Sequence, residues 1–241
     1  MQYREDRFTL KAFDCRPDGQ IKPNALMQYL QEGAARHAEE LGFGFADLNA
    51  QDCFWVLANL RLDVTRLPRW NECFTLRTWP SGHTRVVASR EFVGTDERGE
   101  ELFRAGSEWM VLDRRKSRPR NLTRLKLALP ADGPRALATE LRRLQPTGDY
   151  TRCHRLRVPL SALDFNRHVN NTEYLRWAFD AISFGYPRAG SVRSLEVTYL
   201  AEVFEGDEIE ILIRAAGERS LHVLERRIGE PADVFVMEVA F

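Results

Sequence analysis

Residues 163–182 read LDFNRHVNNTEYLRWAFDAI. Asp164, Asn166 and His168 occupy every second position, and the chain then runs into an apolar stripe of Tyr174, Trp177, Ala178, Ala181 and Ile182. The stripe has helical spacing. Asn170 followed three positions later by Glu173 resembles a capping box, although Ser or Thr is its usual cap. A polar row leading into a helix that begins near Asn170 is therefore expected.

An earlier stretch echoes the helix. In PNALMQYLQEGAARHAEELG, Pro23 to Gly42, one helical face holds Leu26, Leu30, Gly33, Ala34, His37 and Leu41, and Gly42 suits a stop. The segments after the two helices are also alike. WVLANLRLDV alternates, with Val56, Ala58, Leu60, Leu62 and Val64 on one side, which is the strand period. FTLRTW and EFVGTDERGEELFRAGSEWMVL continue as strands, with a turn around Asp96 to Gly99. In the second half SLEVTYLAEV, DEIEILIRA, SLHVLERRI and DVFVMEVAF repeat the series.

Aligning QYL at Gln28–Leu30 with EYL at Glu173–Leu175 gives an offset of 145 residues, Tyr29 to Tyr174. Setting RLPRWNE against EVFEGDE places Arg66 opposite Glu202 and Glu72 opposite Glu208. A helix followed by an antiparallel sheet, given twice, predicts an α+β unit duplicated in tandem. A long helix with apolar residues over much of its surface suits a sheet that curls around it. One mixed domain with coincidental similarity is the competing reading. Between the halves Pro119, Pro130, Pro134 and Pro146, with Gly133 and Gly148, mark a connector, and ALATELRRL within it is a candidate short helix. The expected division is a first unit at 1–128, a linker at 129–150 and a second unit at 151–241.

Composition restricts the partners only weakly. Of 241 residues, 44% are hydrophobic and 29% charged, and Lys plus Arg equals Asp plus Glu at 35 each, so any electrostatic signal must be local. No apolar run approaches the roughly 20 residues of a membrane span, so no membrane insertion is expected. The opening MQYREDRFTLKAF lacks the apolar segment of a secretory signal. Cys15, Cys53, Cys73 and Cys153 show no CxxC spacing or metal-ligand rhythm. They read as reduced thiols of a cytoplasmic protein, with no metal or organic cofactor expected. The aromatic residues fall at strand positions and suit a core better than a nucleic-acid platform.

On an extended backbone residues two apart share a face, which would project Asp164, Asn166 and His168 together beside the positive end of a helix. A carboxylate, an amide, an imidazole and a helix N-terminus suit a reaction that builds negative charge on an oxygen. At the 145 offset the first copy has Gly19, Ile21 and Pro23 instead, so the fold does not demand the trio. The alternative is that Asp164 and Asn166 are turn formers and His168 a buried, hydrogen-bonded residue.

These residues resemble a known family. LDFNRHVNNTEYLRW looks like the D-x-N-x-H-V-N-N segment of the acyl-acyl carrier protein thioesterases, the plant plastid enzymes and their bacterial relatives. VTYLAEVFEGD is similar to the later segment that carries an acidic site residue, which puts Glu202 in that role. FWVLANLRLDVTRLPRWNE echoes a further family segment, and the likeness runs end to end. Many plant members have Cys after the acidic residue, whereas Val203 stands here, so a cysteine nucleophile at that position is excluded. The resemblance implies a tandem double hotdog, two antiparallel sheets each wrapped around a long helix.

It also implies hydrolysis of fatty acyl-acyl carrier protein without a metal. Glu202, supported by His168, would draw the proton from water, Asn166 would donate to water or the thioester oxygen, and Asp164 would hold Asn166 or His168. Direct attack by Asp164 remains an alternative. Acyl carrier protein is acidic, and the run Arg114–Lys126, with seven basic residues and no acidic one, is a candidate docking surface. Rival readings are an acyl-coenzyme A thioesterase and a non-catalytic acyl-binding hotdog protein. Because the duplication supplies within one chain the pair that single hotdogs form, a monomer or a homodimer is expected.

Overall fold

A computed structural model describes the chain except residues 1, 2, 126, 131, 132, 187–189, 230 and 231, so the last residue of the basic run, Lys126, lies outside the described residues. The chain forms two compact units, Met1–Leu141 and Arg142–Phe241. The first holds β1 (Arg4–Thr9), α1 (Pro23–Glu40), α2 (Phe45–Asn49), β2 (Cys53–Val64), β3 (Cys73–His83), β4 (Ala88–Asp96) and β5 (Glu101–Asp113). Its strands pair antiparallel in the order β1-β3-β4-β5-β2. The second holds β6 (Thr151–Arg157), α3 (Asn171–Gly185), β7 (Ser194–Tyr199), β8 (Glu208–Gly217), β9 (Ser220–Arg227) and β10 (Ala232–Ala240). Its order, β6-β8-β9-β10-β7, is the same permutation. Each unit is a hotdog, an antiparallel sheet packed against its own helix.

Each copy has one strand more than the apolar pattern indicates. β1 and β6 precede their helices and are edge strands built from charge. In β1, Arg4 bonds Asp6 through Nε at 2.7 Å and Glu5 accepts from Arg77 at 2.7 Å. In β6, TRCHRLR is mostly exposed. Charged edge strands discourage pairing with other chains, and they leave no hydrophobic alternation to read.

The buried face of α1 includes Leu26, Met27, Leu30, Gly33 and Ala34, and that of α3 includes Tyr174, Leu175, Ala178, Ala181 and Ile182. Each member of the second set lies 148 residues after its equivalent, as Leu26 to Tyr174 does, so the true helix offset is not 145. The QYL and EYL likeness is a coincidence of letters; what repeats is the face that leaves water. Each fully buried Leu-sized side chain there contributes about 2 kcal/mol.

Three local expectations are corrected. The Asn170–Glu173 capping box does not form: Asn170 Oδ1 accepts from Thr172 N–H at 2.9 Å, Asn170 N–H donates to Ala162, and Glu173 takes Arg176. ALATELRRL makes no helix, because its backbone N–H groups are recruited elsewhere. Ala136 donates to Glu91 at 3.0 Å, Arg142 to Glu196 at 2.6 Å and Leu144 to Thr198 at 2.9 Å. In β2 a bulge between Leu57 and Asn59 shifts the alternation, so Leu57 rather than Val56 continues the side of Leu60, Leu62 and Val64. Among the described residues no helix is long and apolar enough to cross a membrane.

Candidate active site

The polar row is a turn and not an extended segment. Leu163 and Val169 form an antiparallel bridge. Between them Asp164 N–H donates to the His168 carbonyl at 2.8 Å, and Arg167 N–H donates to the Asp164 carbonyl at 3.0 Å. Asp164 Oδ1 also accepts from the N–H groups of Asn166, at 2.8 Å, and His168, at 3.3 Å. Asp164 thus does what aspartate does in turns, binding backbone two residues on. The three residues are gathered by this curl, so the every-second-position argument does not apply. Arg167 sits at φ +64°, a left-handed conformation that disfavours any side chain by about 1–2 kcal/mol.

Glu202 arrives from the end of β7. The strand stops at Tyr199, and the N–H groups of Leu200 and Ala201 both turn to the Val234 carbonyl, at 2.8 and 3.3 Å. Alternation along the strand therefore no longer decides where Glu202 points. Val169 N–H donates to the Val203 carbonyl at 3.0 Å, which draws the turn and this loop together. His168 Nδ1 then lies 3.5 Å from Glu202 Oε1. Their side chains are 25% and 30% exposed, open enough for a ligand and shielded enough for a strengthened interaction. The Phe204 ring stands edge-on to His168 at 5.3 Å, and Arg227 Nη2 donates to the Glu202 carbonyl at 3.2 Å. Asn166, half-buried, joins the set through its backbone N–H on Asp164. The start of α3, capped by Asn170, comes directly after, with the positive end of its dipole toward the turn.

The first unit contains the same turn with other side chains. Cys15 and Ile21 are bridged, Arg16 N–H donates to Gln20 at 2.7 Å, and Gly19 N–H donates to Arg16 at 2.9 Å. Ile21 N–H donates to Pro68 at 2.9 Å, as Val169 does to Val203. The equivalents of Asp164, Asn166, His168 and Glu202 are thus Arg16, Asp18, Gln20 and Leu67, which replaces the expected Gly19, Ile21, Pro23 and Arg66.

One acidic residue near this region is absent from the sequence expectation. Glu225 on β9 is fully buried, and neither carboxyl oxygen has a hydrogen-bond partner among the described residues. Burial pushes its carboxyl well above the ordinary range. Burial also raises the hydroxyls of Tyr174 and Tyr199, with Glu225 among the charges that add to the shift. The signal was present in SLHVLERRI: Leu221, Val223 and Glu225 alternate, so a carboxyl stands on an apolar side. Among the described residues no group of three His, Cys, Asp or Glu side chains is placed to hold a metal ion.

Comparison with known proteins agrees with this architecture. Residues 2–125 match the model of the acyl-ACP thioesterase N-terminal domain, and residues 147–232 match that of the C-terminal domain. The chain is 22% identical over 238 residues to oleoyl-acyl carrier protein thioesterase 1, chloroplastic, of Arabidopsis thaliana, covering 90% of this chain and 65% of that one. It is 25% identical over 232 residues to the palmitoyl-acyl carrier protein thioesterase of the same plant, covering 87% and 54%. The chain thus spans between half and two-thirds of the length of these curated relatives. The crystal structure of an acyl-ACP thioesterase from Bacteroides thetaiotaomicron superposes with a TM-score of 0.88 at 25% identity, covering 99% of this chain and 97% of that one. With both halves matched in order, the chain belongs to the acyl-ACP thioesterase family.

Proposed function

We propose that the chain hydrolyses a fatty acyl thioester of acyl carrier protein, releasing the fatty acid and the carrier's thiol. The observation that carries this reading is the approach of His168 Nδ1 to Glu202 Oε1 at 3.5 Å, beside a turn held by Asp164, in a chain of this family. A thioester carbonyl is weakly stabilised by resonance and thiolate leaves readily, so an activated water and an oxyanion donor suffice. Glu202, oriented by His168, takes a proton from water as the water oxygen bonds the carbonyl carbon. The Asn166 amide donates to the resulting oxyanion, an interaction whose loss costs about 3 kcal/mol in the transition state. Collapse breaks the carbon–sulfur bond, and the thiolate takes back the proton.

Asp164 is given a structural role. Its Oδ1 already accepts two backbone N–H groups, which commits the carboxyl to holding the turn, so attack is assigned to water. For the carrier, the exposed basic side chains Arg114, Arg115 and Arg118 offer a complementary surface. The four cysteines are free thiols, in keeping with a cytoplasmic location.

The test compares thiol release from one acyl chain on acyl carrier protein and on coenzyme A, with wild type and Glu202→Ala. Expected are a higher kcat/KM on the carrier and a loss of about a thousandfold in kcat for the variant. Reversing Arg114, Arg115 and Arg118 should raise KM for the carrier substrate alone. Acyl binding without thiol release would overturn the hydrolase reading, and preference for coenzyme A would overturn the carrier.

A further inference from the structure

Glu225 is unexplained by the fold. Leu224, its neighbour in β9, packs with Leu144 and Val236, so Glu225 faces the opposite side of the sheet. There Phe235, its partner across β10, packs against Tyr174 of α3 at 5.5 Å and Tyr199 of β7 at 5.1 Å. The cross-strand row is Ile211, Glu225, Phe235 and Tyr199. The matching row of the first unit is Leu76, Gly94, Phe103 and Val64. That row is wholly apolar, and a Cβ on Gly94 would run into the Phe103 ring. A hotdog therefore builds this layer without a carboxyl, and the second copy has made room for one.

Weakly satisfied polar groups are not confined to Glu225. Glu202 Oε1 and Arg227 Nε are also buried without a hydrogen bond among the described residues, their ion-pair contacts being His168 Nδ1 at 3.5 Å and Asp207 Oδ2 at 3.9 Å. Buried polar groups pair with protein or with ordered water, so several together mark a wet, polar place in an otherwise apolar layer. Tyr174 connects them. Its ring packs against Phe235, the cross-strand partner of Glu225, and Glu202 is held to β9 by Arg227, two residues on from Glu225. Around Glu225 itself stand Tyr174 from α3, Tyr199 from β7, apolar Ile211 and Phe235 on the flanking strands, and Arg227 farther along β9. The Tyr199 hydroxyl is committed to the Asn171 carbonyl at 2.8 Å.

Building on the hydrolase reading, we propose that Glu225 is a positioning residue: as an acid it donates through ordered water toward the Tyr174 hydroxyl, which donates through ordered water to the buried oxygen of Glu202. The line holds the Glu202 carboxylate turned to receive the proton of water. A buried acid is suited to donate because burial keeps its proton on.

The experiment uses Glu225→Leu, Glu225→Gln and Tyr174→Phe in the full chain. Glu225→Leu should melt at a higher temperature, since an orphaned polar group leaves the core. Its kcat should nevertheless fall about tenfold, the equivalent of one ordinary hydrogen bond, with KM unchanged. Tyr174→Phe should fall alike, whereas Glu225→Gln, neutral and still a donor, should keep most of the wild-type kcat. A second measurement needs no turnover: carbon-13 NMR titration of the Glu202 carboxylate, identified by its loss in Glu202→Gln. Losing a donor to the charged form raises a carboxyl pKa, so Glu202 should titrate higher in Glu225→Leu. An unmoved Glu202 titration overturns the proposal, whether or not the wild type cleaves an acyl carrier thioester. A wild type that cleaves nothing sinks the hydrolase reading and leaves the titration result standing.

Discussion

Two turns of the same shape, 16–20 and 164–168, sit before the two long helices. The backbone bonds that close them match, and the first adds a bond from Trp70 N–H to the Gly19 carbonyl. Gly19 takes positive φ in the first and Arg167 does so in the second. In the first the acceptor that shapes the turn is Asp18, which takes the Gln20 N–H at 3.0 Å; in the second it is Asp164, two places earlier. Moving the acid forward leaves the third position to a neutral amide and the fifth to an imidazole. Opposite, Leu67 is buried where Glu202 is half-exposed. The difference teaches that one scaffold builds this location in both copies, while the side chains placed there differ.

The sharpest break of that comparison is to give the second turn the residues of the first. Glu202→Leu, copying Leu67, should lower kcat about a thousandfold or more with no loss in melting temperature; residual activity within tenfold of wild type would refute the assignment. Asn166→Asp, copying Asp18, replaces a donor by an anion beside the developing oxyanion. It should lower kcat at least a hundredfold, about 3 kcal/mol, with KM little changed.

A third outcome concerns stability. His37 on α1 is buried and accepts at Nδ1 from Arg90 at 3.2 Å, while the position 148 residues later, the end of α3, is Gly185. Burial first, then the Arg90 cation, lowers the imidazole from 6.5 to about 4. Because the folded value lies below the unfolded one, the unfolded chain takes up the proton first as pH falls. Stability should be intact above pH 6.5 and decline toward pH 4, by up to about 1.4 kcal/mol per pH unit. His37→Gln should flatten that slope in denaturant titrations, and an unchanged slope would assign the acid sensitivity elsewhere. The smallest effect is expected from Arg167→Gly, which copies Gly19 and should stabilise by about 0.5–1 kcal/mol, read as a shift in denaturation midpoint.

Much of this was legible in the letters. The helices were, because burying one face imposes a period that few other constraints produce. The repeat was visible too, but its register was not: identical letters at Tyr29 and Tyr174 outweighed a buried face of unlike residues such as Leu26 and Tyr174. β1 and β6 were hidden because an edge strand can replace apolar alternation with ion pairs. At the site, Asp164, Asn166 and His168 were singled out by chemistry, while the curl that gathers them depends on hydrogen bonds no spacing rule encodes. The turn-forming alternative holds for Asp164, whose carboxyl bonds the turn's backbone. Glu202 rested on family likeness, since its strand ends three residues earlier. Glu225 reads as one more strand residue in SLHVLERRI, although an acid on an apolar row is a local conflict of the kind that accompanies function.

The connector between the copies bears on how the protein can be dissected. Glu196 is buried, and Arg142 gives it a backbone N–H at 2.6 Å and a guanidinium N–H at 2.8 Å, while Leu144 serves Thr198. A fragment of the second half cut just before its first strand would strip those donors away and remove the Arg142 cation that stands between Glu196 and its cross-strand neighbour Glu238. The first half, likewise, needs Arg135 and Ala136 to neutralise and bond Glu91. Anyone wishing to express either half alone should therefore let the connector dictate the cut, between Ala136 and Arg142.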